Sequence, residues 1–106
     1  MHPTRNDLST KTRTKVVAVL NARLADAIDL QFQAKQAHWN VKGPNFIALH
    51  ELFDRIAGDL GGHGDDMAER ITALGGTAEG TLQAVAGRSK LPVYPVDLTE
   101  GRAHLE

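Results

Sequence analysis

Two histidines and an aspartate flank a Gly-Pro break in the stretch AHWNVKGPNFIALHELFD. His38 and His50 are twelve positions apart, and Asp54 follows His50 by one helical turn. Imidazole and carboxylate donors suit iron, manganese or zinc. The chain has no cysteine, so a thiolate site is excluded. These residue types predict a metal site, although their spacing alone does not choose the metal.

Two further carboxylates lie farther along the same predicted helix. At 100° per residue, four side chains fall on one face, away from the apolar stripe: His50, Asp54, Asp65 and Glu69. We call the first two the His–Asp pair and the last two the carboxylate pair. Each pair is one turn apart and can converge on one ion. The helix between the two pairs is about 16 Å long, so one ion cannot bridge both pairs within a chain.

Three glycines lie on that face between the two pairs: Gly58, Gly61 and Gly62. Each glycine inside a helix costs about 1 kcal/mol relative to alanine, so three on one side indicate the close approach of another backbone. They could instead mark a break into two shorter helices. If the helix of a second copy crosses antiparallel near Gly61, the His–Asp pair of one chain meets the carboxylate pair of the other. An isologous dimer would then hold two composite sites.

Two long helices are expected to position these side chains. No proline or glycine occurs from residue 9 to residue 39, and Ser9 or Thr10 is a suitable N-cap. Apolar side chains recur there with the spacing of an amphipathic helix: Val17, Leu20, Leu24, Ala27, Ile28 and Ala34. After the break at Gly43-Pro44, with Pro44 suiting a helix start, a second helix is predicted from about residue 45 to residue 74. Its apolar stripe comprises Leu52, Phe53, Ile56, Leu60, Met67, Ile71 and Leu74.

Gly75-Gly76 stops the second helix, and the short connection between the two predicts an antiparallel hairpin. TLQAVAG predicts a short helix, and LPVYPVD predicts an extended or turned segment. DLTEGRAHLE predicts the start of a third long helix, capped by Asp97 or Thr99. A two-helix hairpin cannot bury its apolar stripe alone, so we expect association with another copy or further sequence.

Length and composition predict one domain, residues 1–106, of a globular protein. Hydrophobic residues make up 42% and charged residues 24%, and the net charge of −1 argues against an obligate nucleic-acid binder. No apolar run is long enough to span a membrane, and the N-terminus lacks the apolar core of a signal peptide. The expected location is cytoplasmic.

The segments TRNDLS, KQAHWNVKGPNFIALHELFD and DDMAERITALGG closely resemble the Dps family, the DNA-binding proteins from starved cells within the ferritin-like superfamily. The stretch LPVYPVDL resembles the family segment that leads into the third long helix. The resemblance runs over almost the whole chain but covers about the first two-thirds of a typical member. We therefore expect a partial ferritin-like domain that looks truncated at its C-terminus.

The resemblance implies an all-α, four-helix-bundle subunit, here mainly its first helix hairpin, in a homodimer and a shell of twelve subunits. It implies ferroxidase sites at two-fold interfaces that oxidise Fe(II), preferentially with hydrogen peroxide, and store ferric iron to protect DNA. The residues carried over as iron ligands and catalytic residues are His38, His50, Asp54, Asp65 and Glu69. His38 is supplied by the resemblance, because its position alone does not establish it as a ligand.

Two other interpretations stay open. The chain could be a non-enzymatic DNA-compacting protein, located at the nucleoid. Arg5, Lys11, Arg13 and Lys15, less Asp7, give about +3 near the N-terminus. These charges could equally just solvate the start of the first helix. It could also be an inactive truncated hairpin.

Overall fold

Residues 1–4, 7–98 and 104 are described in a computed structural model, which contains three helices within those ranges. Helix α1 spans Thr10–Asn40, α2 spans Phe46–Ala73 and α3 spans Leu82–Arg88. The long helices α1 and α2 pack against each other as an antiparallel hairpin, so the predicted all-α fold is confirmed. Within the described ranges, no helix is long and apolar enough to cross a membrane.

The limits of α1 follow from its flanking residues. Ser9 caps the helix, because its side-chain oxygen accepts a hydrogen bond from the Thr12 N–H at 3.2 Å. The helix then continues without a glycine or proline to Asn40. Gly43, whose φ is +112°, turns the chain. Pro44 lies in this turn. Asn45 is the N-cap of α2, which begins at Phe46.

Helix α2 is continuous through Gly58, Gly61 and Gly62, so the interpretation of a helix break is wrong. Gly61 faces α1, where an added Cβ would lie 3.1 Å from the Gln31 amide nitrogen. Gly58 and Gly62 have open space beside them within the chain. One of the three glycines is therefore explained by packing inside the hairpin, and two are left facing outward.

The end of α2 has the hydrogen bonds of a Schellman motif. The Gly75 N–H bonds to Thr72 O at 3.0 Å, and the Gly76 N–H bonds to Ile71 O at 3.0 Å. Gly75 has φ +86°, and a Cβ at that position would collide with the His2 carbonyl oxygen. The predicted glycine stop is confirmed.

The core is small, lies mainly between α1 and α2, and includes one residue of α3, Val85. Its buried apolar residues are Leu24, Ala25, Ala34, Ala37, Val41, Phe53, Ala57, Ile71, Leu74 and Val85. Within the predicted α2 stripe, Phe53, Ile71 and Leu74 are buried, but Ile56 is exposed. A single neighbouring helix covers only one edge of the stripe, which is the physical reason for the difference.

The segment after α2 is tied to polar side chains of α1. Thr81 caps α3 through the Ala84 N–H at 3.3 Å, which confirms the predicted short helix. The extended segment that follows is held by the Ser89 hydroxyl, which donates to Asp29 at 2.6 Å. Asp97 lies in a turn, and His104 is helical. The predicted cap at Thr99 lies outside the described residues.

Candidate metal centre

The rings of His38 and His50 stack where α1 ends and α2 begins. Their centroids are 3.7 Å apart and their planes differ by 21°. The Nδ1 atom of His38 lies 2.5 Å from the His50 carbonyl oxygen, and the Nδ1 atom of His50 lies 2.7 Å from the His38 carbonyl oxygen. The hairpin therefore brings together two side chains that are twelve residues apart.

These reciprocal contacts determine which nitrogen of each ring is available. A carbonyl oxygen only accepts hydrogen bonds, so each Nδ1 must carry the hydrogen and donate it. In the neutral rings, each Nε2 then carries a lone pair. A metal-binding histidine commonly donates its other ring N–H to a carbonyl or carboxylate in this way, which fixes the tautomer and the ring orientation. The His38 carbonyl is also one of the last in α1, where helix bonds are missing.

Asp54 follows His50 by one turn of α2 and is engaged by Lys35 of α1. Its Oδ1 atom is 2.6 Å from Lys35 Nζ. The hydrogen bond from Lys35, followed by the charge of Lys35, holds the pKa of the Asp54 carboxyl below its ordinary value of 3.8. Positive charge on His38 or His50 acts in the same direction on the pKa of Asp54, with a smaller effect than that of Lys35.

The carboxylate pair lies farther along α2. Asp65 and Glu69 are both exposed, and about three helical turns separate Asp65 from Asp54. Glu69 lines an open groove of ≈ 620 Å³ together with Leu20 and Met67. Within the described residues, no three histidine, aspartate or glutamate side chains lie close enough to hold an ion in one chain. The structure brings His38 and His50 together, with Asp54 one helical turn after His50, and it leaves the carboxylate pair apart from them.

The chemistry of these donors fits a ferrous ion. Two imidazole nitrogens together with a carboxylate would give a mixed nitrogen and oxygen set of the kind that ferrous iron accepts while leaving coordination positions open. Lys35 is the residue that sequence reasoning missed. It precedes His38 by three positions on α1, so helical spacing places it on the same side as His38. Its partner Asp54, however, depends on how α1 and α2 are rotated against each other.

Known proteins are similar to this chain in sequence and in fold. A family model described as a ferritin-like domain matches residues 17–105. The chain is 50% identical to the "DNA protection during starvation protein" of Agrobacterium fabrum over 105 residues, which are 99% of this chain and 65% of the relative. DpsA14 from Streptomyces coelicolor superposes with a TM-score of 0.90 at 38% identity, covering 96% of this chain and 61% of that chain.

A solved protein with a more distant sequence has a similar fold. The Dps protein from Vibrio cholerae O1, described as a member of a broad superfamily of ferritin-like diiron-carboxylate proteins, superposes with a TM-score of 0.91 at 27% identity. That match covers 99% of this chain and 65% of the solved chain. The chain thus spans less than two thirds of the length of these relatives. It belongs to the ferritin-like family, and the relatives that it resembles within that family are Dps proteins.

Proposed function

We propose that this chain oxidises Fe(II) and sequesters the product, with its iron sites formed between two copies of the chain. The observation that carries the proposal is the reciprocal hydrogen bonding of His38 and His50, which leaves both Nε2 atoms able to bind a metal. The names and titles of the relatives support the wider role, since they describe DNA protection and a diiron-carboxylate superfamily. The biological outcome proposed is protection of DNA from oxidative damage.

The proposed reaction uses ferrous iron as substrate and hydrogen peroxide as oxidant. Two ferrous ions each give up one electron, and the two electrons reduce one hydrogen peroxide, with two protons, to two water molecules. In this scheme His38 and His50 hold iron through Nε2, and Asp54 supplies a carboxylate beside them. Asp65 and Glu69 of a second copy complete the donor set, since the same residues of one chain lie too far along α2.

Association of copies is part of the proposal. Gly58 and Gly62 leave open space on the face that carries the carboxylate pair, so a second backbone can approach there. The uncovered edge of the α2 stripe, which includes Ile56, also favours a partner. We propose a homodimer as the unit that forms the sites. A shell of twelve subunits, which the family resemblance implies, would enclose the ferric product.

Peroxide-dependent oxidation of Fe(II) tests this function. The Asp65→Ala, Glu69→Ala double variant should lower the oxidation rate by about 100-fold or more, because even residues that only support metal ligands commonly contribute tenfold to a hundredfold. The Asp59→Ala, Asp66→Ala double variant is the matched control, since it removes two exposed carboxylates of α2 that lie off the predicted site face. Equal rates in the two folded variants would contradict the proposed function.

A DNA-compacting role is the second candidate. It is favoured by Lys11 and Lys15, which are exposed near the start of α1. Arg13 contributes less, because its guanidinium donates to Leu74 O at 3.0 Å, and Arg5 lies outside the described residues. Non-specific binding to phosphates weakens steeply with salt. A salt-dependent gel shift that is lost in the Lys11→Gln, Lys15→Gln variant but kept without the carboxylate pair would support this role. No gel shift at low salt would exclude it.

A further inference from the structure

Lys35 has no role in the donor set, yet it contacts one of its members. Its ammonium nitrogen lies 2.6 Å from Asp54 Oδ1, in a contact that crosses from α1 to α2. His38 lies one helical turn after Lys35 on α1, and His50 lies one turn before Asp54 on α2. A positive charge is therefore placed among the side chains that are proposed to receive a doubly charged ion.

We propose that Lys35 is a positioning residue that occupies Asp54 until a divalent cation displaces it. This inference rests on the proposed iron site and adds a mechanism for its loading. In the metal-free chain the ammonium neutralises Asp54 and holds its Oδ1 atom away from an ion. Binding of the cation then requires Asp54 to exchange Lys35 for the metal.

The exposure of the ion pair favours displacement over a permanent structural link. The Lys35 and Asp54 side chains are 33% and 53% exposed. An ion pair this accessible to water contributes little, because the charges are screened and two flexible side chains must be held in place. The lysine stem is flexible and can return its ammonium to water. A divalent cation offers twice the charge and also binds the two Nε2 atoms, so it is the stronger partner for the carboxylate.

The same arrangement makes metal loading depend on a second copy of the chain. In a single chain, the cation gains two imidazoles and must displace Lys35 to gain one carboxylate. In the proposed dimer, Asp65 and Glu69 of the other copy add two carboxylates, which offset the nearby ammonium. Lys35 would thus weaken cation binding to an isolated chain more than binding to the dimer.

Titration with Co(II), a stand-in for Fe(II) that air does not readily oxidise, tests the inference. Visible absorption reports both the coordination and the affinity. Lys35→Met keeps a stem of similar length without the charge. It should bind Co(II) about tenfold more tightly, as expected when one positive charge is removed about 6 Å from a divalent ion in water. Lys35→Arg should bind like the wild type, and Lys90→Met, which removes an exposed lysine charge elsewhere, should not change the affinity.

Oxidation kinetics provide a readout that a purely structural role would not change. In Lys35→Met the Fe(II) concentration that gives half the maximal rate should fall, while the helical circular dichroism stays unchanged. Equal or weaker Co(II) binding by folded Lys35→Met, with wild-type binding intact, would overturn the role of Lys35 alone. Failure of both the wild type and Lys35→Met to bind Co(II) would instead remove the proposed iron site and, with it, the inference.

Discussion

The imidazole rings of the candidate site illustrate what a sequence does and does not contain at the scale of single residues. His38 and His50 are recognisable as metal-binding residue types. Their mutual hydrogen bonds depend on the backbone carbonyl oxygens that the hairpin turn brings next to each ring. Lys35 could not be paired with Asp54 in advance, because a helical pattern gives the faces of each helix but not the rotation of one helix against its neighbour.

His104 carries a prediction about pH. Its ring packs edge-on against Phe53, with centroids 5.9 Å apart, and its Nδ1 contacts the Tyr94 hydroxyl. Burial lowers the pKa of His104 below its ordinary value of 6.5, and a hydrogen bond with the Leu98 backbone opposes that effect only in part. The unfolded chain therefore takes up a proton near pH 6.5 while the folded chain resists it. The free energy of unfolding should decrease as the pH falls below about 6.5.

Urea unfolding at pH 7.5 and at pH 5.5 measures this effect. The loss of stability between the two pH values should be larger in the wild type than in His104→Gln, which has no titrating ring. His63→Gln is the control, because His63 is exposed on α2. A decrease of the same size in wild type and His104→Gln would show that other groups cause the pH dependence.

At the scale of secondary structure, the sequence predicts the helices and their ends well. The uninterrupted run after Ser9 and the glycines after Leu74 correctly predicted where α1 begins and where α2 ends. The sequence alone does not decide whether α2 is continuous, because a glycine destabilises a helix unless packing compensates for it. Gly61 against Gln31 and Gly64 under Leu24 supply such packing inside the hairpin. Periodicity predicts that Ile56 lies in the core, but it does not give the number of neighbouring helices that cover the apolar stripe, and Ile56 is exposed.

Gly75 should be the glycine that least tolerates a side chain. Alanine there would have to adopt φ +86°, which costs about 1–2 kcal/mol for an L residue, and its Cβ would collide with the His2 carbonyl. Gly75→Ala should therefore lower the free energy of unfolding in urea by at least about 1–2 kcal/mol. Gly87→Ala is the matched control, since α3 has open space there and alanine should stabilise it by about 0.5–1 kcal/mol. Equal stability of the two variants would contradict the helix-end interpretation.

At the scale of the whole molecule, the proposed site needs a second copy of the chain. The fold and family are established, and the ferritin-like match covers residues 17–105. The site residues are divided between two regions of the hairpin, with His38, His50 and Asp54 near the turn and the carboxylate pair farther along α2. No pattern within one chain can show that another copy joins them, because that requires the crossing geometry of two identical surfaces.

Complementation between two inactive variants tests the composite site most directly. One variant carries His38→Ala and His50→Ala, and the other carries Asp65→Ala and Glu69→Ala. The two chains are produced together with different tags, and assemblies that contain both are isolated and assayed for peroxide-dependent Fe(II) oxidation. If each site takes its histidines from one copy and its carboxylate pair from another, one of the two sites in every mixed dimer is intact, so isolated mixed dimers should regain about half of the wild-type sites. In a larger assembly with random pairing, about a quarter of the sites should be intact. Mixed assemblies no more active than either variant alone would contradict the composite site.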